Sequence, residues 1–399
     1  MALEPITDGP VFVRAADDFG HGVHDVPEAA FTPADEHEVV EAVHEAHRRG
    51  LPLLARGQGH STGGQAQVEG GFVLDMERMS RVRDIDGSSM VVEAGATWYT
   101  VLDAALSVGM TPPVLTDYLG LSVGGTLSVG GIGGASHKHG AQTDNVTALD
   151  AVVPDASLVT CSSQRHSEVF NSIRAGRGRH GVITTAVLPL SPAPNTVRRH
   201  VLHYTSLTVF LADQRRAMVL PDADYLEGSA KWTGNGWRYE LEFVQYPGKA
   251  TDAPADLTSL SFDDRVYVEL DYNAFAIRLR DGERRMREIG DWMCPHPWVN
   301  YFLPESTADT TIHQILNTTT VEQVGERGTV LTYPFIRNRM RTPAMQLPMS
   351  AVFHLFALLR TAVPAAPVSG TDMIEINHTL DRLVTDNDGT IYLGSLPRP

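Results

Sequence analysis

Cysteine is scarce: 399 residues hold only Cys161 and Cys294, with no CxxC pair. That excludes a disulfide framework and a cysteine-rich metal centre. Basic charge is also short, with 32 Lys and Arg against 48 Asp and Glu and a net charge of −16. Nucleic acid and anionic membrane surfaces are therefore not expected as partners, because both require a basic excess to neutralise phosphates. No apolar run approaches the ~20 residues of a membrane-spanning helix. The opening MALEPITDGPVFVRAADDFG lacks a basic segment followed by an apolar one. No secretory leader is expected, and cytoplasmic residence is the default. No internal repeat, low-complexity tract or Walker A sequence is present.

Glycine, by contrast, comes in clusters. A hydrophobic content of 42% and a charged content of 20% fit a folded chain, and the length suits two domains. Residues 32–50, TPADEHEVVEAVHEAHRRG, predict a helix with Thr32 as N-cap, Pro33 at its first position and Gly50 as its stop. A strand, LPLLA, follows at once and runs into RGQGHSTGGQ. The α-to-β unit thus ends in four glycines set around His60, with Ser61 directly after it. A spacing of GxGxxxG misses the dinucleotide fingerprint by one residue.

A second unit reads as a short strand FVLD, a strand MVVEA and a helix TWYTVLDAALSVG ending at Gly109. Beyond it, eight glycines fall between Gly120 and Gly140, interleaved with Leu121, Val123, Leu127, Val129 and Ile132. Such density marks sharp turns or close approach to a ligand, and the apolar punctuation argues against a loose linker. A hairpin around Pro154-Asp155 and a third glycine turn, AGRGRHGVIT, lead to the boundary SPAPN at 191–195. After it glycine thins, and β-like and helical stretches alternate, as in YELEFVQY and RVYVELDYNAF. A first domain over 1–194, closed by 392–399, and a second domain over 195–391 form the expected parse.

Three motifs occur in order: RGxGHSxxGQ (56–65), TDYLxLSVGGTLS (116–128) and GxGRHGVIT (176–184). Together with PHPWVNYFLP (295–304) and GTVLTYPF (328–335), they make the chain resemble the covalent flavoproteins of the vanillyl-alcohol-oxidase type. The similarity is greatest to the cytokinin dehydrogenase branch and runs from about residue 30 to the end. The resemblance implies an α+β fold of two domains. One is an FAD-binding domain of the PCMH type; the other is an α/β substrate domain with a mainly antiparallel sheet flanked by helices.

It also implies roles for individual residues. His60 matches the histidine that bonds covalently to FAD, while Gly57, Gln58, Gly59, Ser61 and Gln65 match the loop around the pyrophosphate. Backbone N–H groups of a glycine loop bind an anion without Lys or Arg, which suits an acidic chain. Thr116, Asp117, Ser122, Ser128, Ile132, Ile183 and Tyr392 match further FAD contacts. Tyr118 stands where some relatives attach flavin a second time through cysteine, so one covalent bond is implied. Asp117 matches the base that takes the substrate amine proton, and Glu227 a second carboxylate of the substrate site. His296 and Trp298 read as packing residues. Taken alone, His60 reads as a loop histidine satisfied by a carbonyl, Asp117 reads equally as a turn aspartate or an acid–base group, and a solvated glutamate is the alternative for Glu227. The pair His137 and His139 in SHKHG lacks a third ligand nearby, so no metal is expected.

The implied reaction is oxidation of the CH–NH bond of an N6-alkenyl adenine to an imine, which hydrolyses to adenine and an aldehyde. Oxygen or a quinone would be the electron acceptor. Two departures leave other readings open. Ile336 stands where plant relatives carry an asparagine near the adenine, which favours a related oxidase of an alcohol, sugar or secondary metabolite. The run ends at TIYLGSLPRP, without the final proline-glycine-glutamine signature that touches flavin, which leaves room for a flavin-binding protein without turnover.

Overall fold

The computed structural model describes residues 3–248, 253–325, 327–364 and 366–393. Residues 1–132, 141–193 and 342–345 form one unit, and 133–140, 194–341 and 346–399 form the other. The strands of the first unit are, in chain order, β1 (Ala29–Phe31), β2 (Leu53–Arg56), β3 (Phe72–Asp75), β4 (Val82–Asp86), β5 (Ser89–Glu93), β6 (Met110–Thr111), β7 (Ala148–Val152), β8 (Leu158–Ser162), β9 (Val182–Pro189) and β10 (Ser191–Pro192). The first three make a parallel sheet in the order β1-β3-β2. Helix Glu36–Arg49 covers it through Val39, Ala42, Val43 and Ala46, which pack on Phe31, Phe72 and Leu74. Spacing of three and four residues puts those apolar side chains on one stripe.

The helix starts later than the sequence pattern predicts. Asp35, not Thr32, is the N-cap, and its carboxylate accepts from the Glu38 N–H at 3.0 Å. Asp35-x-x-Glu38 is itself a capping pattern, with Glu38 reaching back to the Ala34 N–H. Gly50 closes the helix with a left-handed φ of 65°, as a C-terminal glycine does. A five-stranded antiparallel sheet, β4-β5-β9-β7-β8, forms the rest of the unit, with β6 and β10 paired separately. Thr342, far along the chain, joins this unit by donating to Asp144 at 2.7 Å.

The second unit holds β11 (Thr196–Tyr204), β12 (Tyr225–Trp232), β13 (Trp237–Gln245), β14 (Asp264–Asp271), β15 (Val299–Pro304), β16 (Thr329–Ile336), β17 (Val352–Leu359) and β18 (Thr390–Leu393). They form one antiparallel sheet in the order β14-β11-β13-β12-β16-β17-β15-β18. Helices Leu207–Ala217, Glu305–Thr318 and Gly370–Asp386 bury one face of it, through Phe210, Leu211, Ala308, Ile312, Ile315, Leu380 and Val384. Strand alternation turns Tyr225, Glu227, Glu242, Phe302, Tyr333, Phe335 and Phe353 to the opposite face.

Tyr392 was expected where the chain returns to the first unit. It is instead the third residue of β18, stacked on Phe302 with ring centroids 4.6 Å apart. Positions 394–399, the remainder of the expected closing segment, lie outside the described residues. Among the described residues, no helix is long and apolar enough to cross a membrane.

Candidate active site

In the first unit, the loop after β2 is fastened by a buried carboxylate absent from the motif list. Asp18 Oδ2 accepts from Ser61 Oγ at 3.0 Å and from the Gly64 N–H at 2.8 Å, while Oδ1 accepts from the Gly20 N–H at 3.0 Å. Burial holds the Asp18 carboxyl above its ordinary range, with these hydrogen bonds pulling the other way. Next to it, the Phe19 ring stacks on the His60 imidazole at 4.0 Å and 16°, and the Phe19 N–H donates to Gly59 O at 2.8 Å. Tyr118 lies on the motif after β6, its ring 4.9 Å from that of His60. His60 is therefore held beside two aromatic rings, stacked on Phe19 and tilted against Tyr118.

The glycines are there for close approach. Gly59 has a left-handed φ of 64°, and a side chain on it would overlap the buried Arg56 guanidinium. Arg56 cannot swing away freely, because its Nη1 donates to Asp17 O at 2.7 Å. A side chain at Gly57 would overlap Ser122, whose hydroxyl caps the short helix Val123–Leu127 by accepting from the Gly125 N–H. Along this loop the N–H groups of Gln58, Gly59, Ser61 and Thr62 donate to no acceptor among the described residues. Amides left without a protein acceptor beside unsubstituted glycines are what a diphosphate requires, so these residues fit FAD. Gln65 is turned inward to the loop, its Oε1 accepting from the Gly63 N–H.

The other first-unit positions are set by the same fold. Thr116 Oγ1 donates to Tyr118 O at 2.9 Å, holding the turn that carries Asp117, which is half-buried. Ser128 Oγ donates to Gly124 O, and its own carbonyl accepts from the Arg177 N–H of the third glycine turn. Ile132 is half-buried at the end of the glycine run, and Ile183 is buried on β9 opposite Ala151. Gln142 Oε1 is buried without a hydrogen-bond partner beside Gly131.

In the second unit, Glu227 stands directly opposite Glu242 on the neighbouring strand. Two carboxylates at that spacing repel, and cations resolve the conflict. Arg278 Nη2 lies 3.3 Å from Glu227 and 3.7 Å from Glu242, and Arg199 pairs with Glu242. The Tyr225 hydroxyl donates to Glu227 and accepts from Arg278. Arg278 is itself held over the Phe275 ring at 4.6 Å and the Tyr225 ring at 5.0 Å. Glu227 is thus no solvated glutamate. Gly134, from the glycine-rich run, approaches so closely that a side chain there would overlap the Tyr225 ring.

His137 is buried, and its ring nitrogens face Gly134 O at 2.8 Å and Ala223 O at 3.0 Å; burial pulls its pKa down. His139 is exposed. Among the described residues, no group of three His, Cys, Asp or Glu is placed to hold a metal. In the PHPW segment, Trp298 Nε1 donates to Arg360 O, and Arg360 bonds Pro297 O, Met373 O and Asn377. Burial lowers the Arg360 pKa to about 10. Ile336 packs on the helix side of the sheet. Motif reasoning missed Asp18, Phe19, Tyr225, Glu242 and Arg278, and gave Arg56 no role although it opens the first motif. Only the first two left a signal, as the unperiodic acid-acid-aromatic-glycine run DDFG.

The parallel and antiparallel sheets, with the glycine cradle around His60, define an FAD-binding oxidoreductase of the PCMH type. Residues 27–162 match the FAD binding domain family, and residues 239–389 match the family described as cytokinin dehydrogenase 1, FAD and cytokinin binding. An oxidoreductase of Rhodococcoides fascians, ORF5 of the fasciation locus, is 39% identical over 97% of this chain and 88% of its own length. Cytokinin dehydrogenase 6 of Oryza sativa subsp. japonica is 33% identical over 96% of this chain and 82% of its own. Cytokinin dehydrogenase 4 of Arabidopsis thaliana is 32% identical over 91% and 79%. The chain belongs to the cytokinin dehydrogenase family of FAD-dependent oxidoreductases.

Proposed function

We propose that this enzyme oxidises the CH–NH bond of an N6-alkenyl adenine, with FAD bonded covalently to His60 and oxygen or a quinone as final acceptor. The observation carrying the attachment is His60 stacked on Phe19 inside a loop whose amides are open. When bound, FAD supplies the two-electron acceptor that takes hydride from the carbon beside the amine nitrogen. Asp117 takes the proton of that nitrogen on its carboxylate. The imine product then adds water and separates into adenine and an aldehyde. Glu227, kept beside the Arg278 guanidinium, is an acceptor for a purine N–H.

The departure at Ile336 carries less weight against an adenine substrate than the motif alone suggests, because its side chain packs among the core residues on the helix side. An alcohol or sugar oxidase stays as the second reading, resting on that substitution. Anaerobic addition of isopentenyladenine to the flavin-loaded enzyme separates them. Bleaching of the flavin band is the expected result; bleaching by alcohols or sugars alone would discard the adenine reading. Absence of bleaching by every amine and alcohol tried would favour a flavin-binding protein without turnover.

A further inference from the structure

Strand β14 forms one edge of the eight-stranded sheet and pairs with β11 alone. Of its eight residues all but Leu270 are exposed. Val266 and Tyr267 are 51% and 47% exposed, and Val268 is 39% exposed. An exposed edge offers its unpaired N–H and C=O groups to another strand, and the charged residues among the apolar ones select which strand fits. The direction of those groups follows from the ladder. Tyr272 N–H donates inward to Asn195 O, and backbone groups alternate in direction along an antiparallel pair. Val266, Val268 and Leu270 therefore turn theirs to β11, while Arg265, Tyr267 and Glu269 turn theirs outward.

We infer that β14 pairs antiparallel with β14 of a second copy of this chain, about a two-fold axis at Tyr267. The sequence DRVYVELD is self-complementary in that register. Tyr267 meets Tyr267, Val266 meets Val268, and Arg265 meets Glu269 at both ends. Moving the axis to Arg265 or to Glu269 would set like charges face to face, which opposes those registers. Arg265 has no ion pair or hydrogen bond among the described residues. Glu269 is already oriented on that face, accepting from Arg198 Nε at 2.8 Å and from the Tyr267 hydroxyl at 2.7 Å. One strand pair buries less than the ~800 Å² per partner of a standard interface, so the dimer is weak, with a dissociation constant on the order of micromolar.

Sedimentation velocity of the flavin-loaded chain over a concentration series tests this. A monomer–dimer equilibrium is expected, abolished by Arg265→Glu or by Glu269→Arg. Mixing those two single variants, or combining both changes in one chain, should restore it, because only this register exchanges the charges. Circular dichroism and flavin absorbance check that each variant is folded. Monomer at every concentration up to about 100 μM, a dimer indifferent to the single reversals, or loss without restoration would each overturn the inference.

Discussion

In the first unit, the loop that carries His60 is positioned mainly by backbone, with glycines without side chains, carbonyls, amides and one buried carboxylate at Asp18, while the Phe19 and Tyr118 rings lie beside the imidazole. In the second unit, Glu227 is positioned by side chains: a facing carboxylate, two arginines and a tyrosine. Under the proposed function, the difference follows from what each would hold. A diphosphate is anionic in every state and is served by fixed amide dipoles, which no proton can remove. A neutral heterocycle with N–H groups is served by a carboxylate kept ionised, which needs a cation beside it. The two regions should therefore fail differently when altered.

The largest effect is expected at Asp117. Replacement by Asn should slow anaerobic flavin reduction by roughly 10²- to 10⁴-fold while leaving flavin content unchanged; an unaltered rate removes Asp117 from proton transfer. Next, Gly59→Ala forces a side chain into a left-handed residue against Arg56, costing about 2–4 kcal/mol. Its readout is the flavin-to-protein ratio, which should collapse. A normal ratio would mean that the loop has room the structure denies.

The second unit should respond in substrate affinity instead. Arg278→Ala removes a charge-assisted partner of Glu227, so KM should rise roughly 10-fold with flavin content intact. Arg278→Lys should recover part of that loss, and equal kcat and KM losses in both variants would point to simple misfolding. The smallest effect concerns pH. Burial holds the His354 pKa near 3 against 6.5 for an ordinary histidine. The unfolded chain therefore takes up a proton below about pH 6.5 that the folded chain refuses until about pH 3. Its contribution is complete above pH 6.5 and is lost as pH falls towards 3. His354→Leu should flatten that acid limb in urea unfolding at pH 7 and pH 5; an identical pH dependence in both proteins would contradict it.

These contrasts explain what the sequence made legible. The backbone-built site announces itself, since glycine spacing is a one-dimensional signal, and the helix–strand–loop unit ending at His60 lies where the pattern puts it. Asp35 displaced Thr32 as N-cap because two capping patterns overlap within seven residues, and only hydrogen bonding decides between them. The side-chain-built site is silent in sequence: Glu227 and Glu242 meet through strand register, and Arg278 reaches Glu227 from 51 residues away. Tyr392 gave no sequence signal for its place in β18, because a single aromatic near the end of the described chain fits a strand as well as a flavin contact. Membership of 133–140 and 342–345 in units other than those of their neighbours has no sequence signal at all.

The tether at His60 is the claim on which the rest depends, and acid precipitation tests it most directly. Purified flavin-loaded enzyme and its His60→Ala variant are precipitated in acid, and the absorbance of pellet and supernatant is read. The account predicts colour in the pellet of the wild-type chain and in the supernatant of the variant. Colour released from the wild-type chain would contradict covalent attachment and leave the glycine cradle as a non-covalent site.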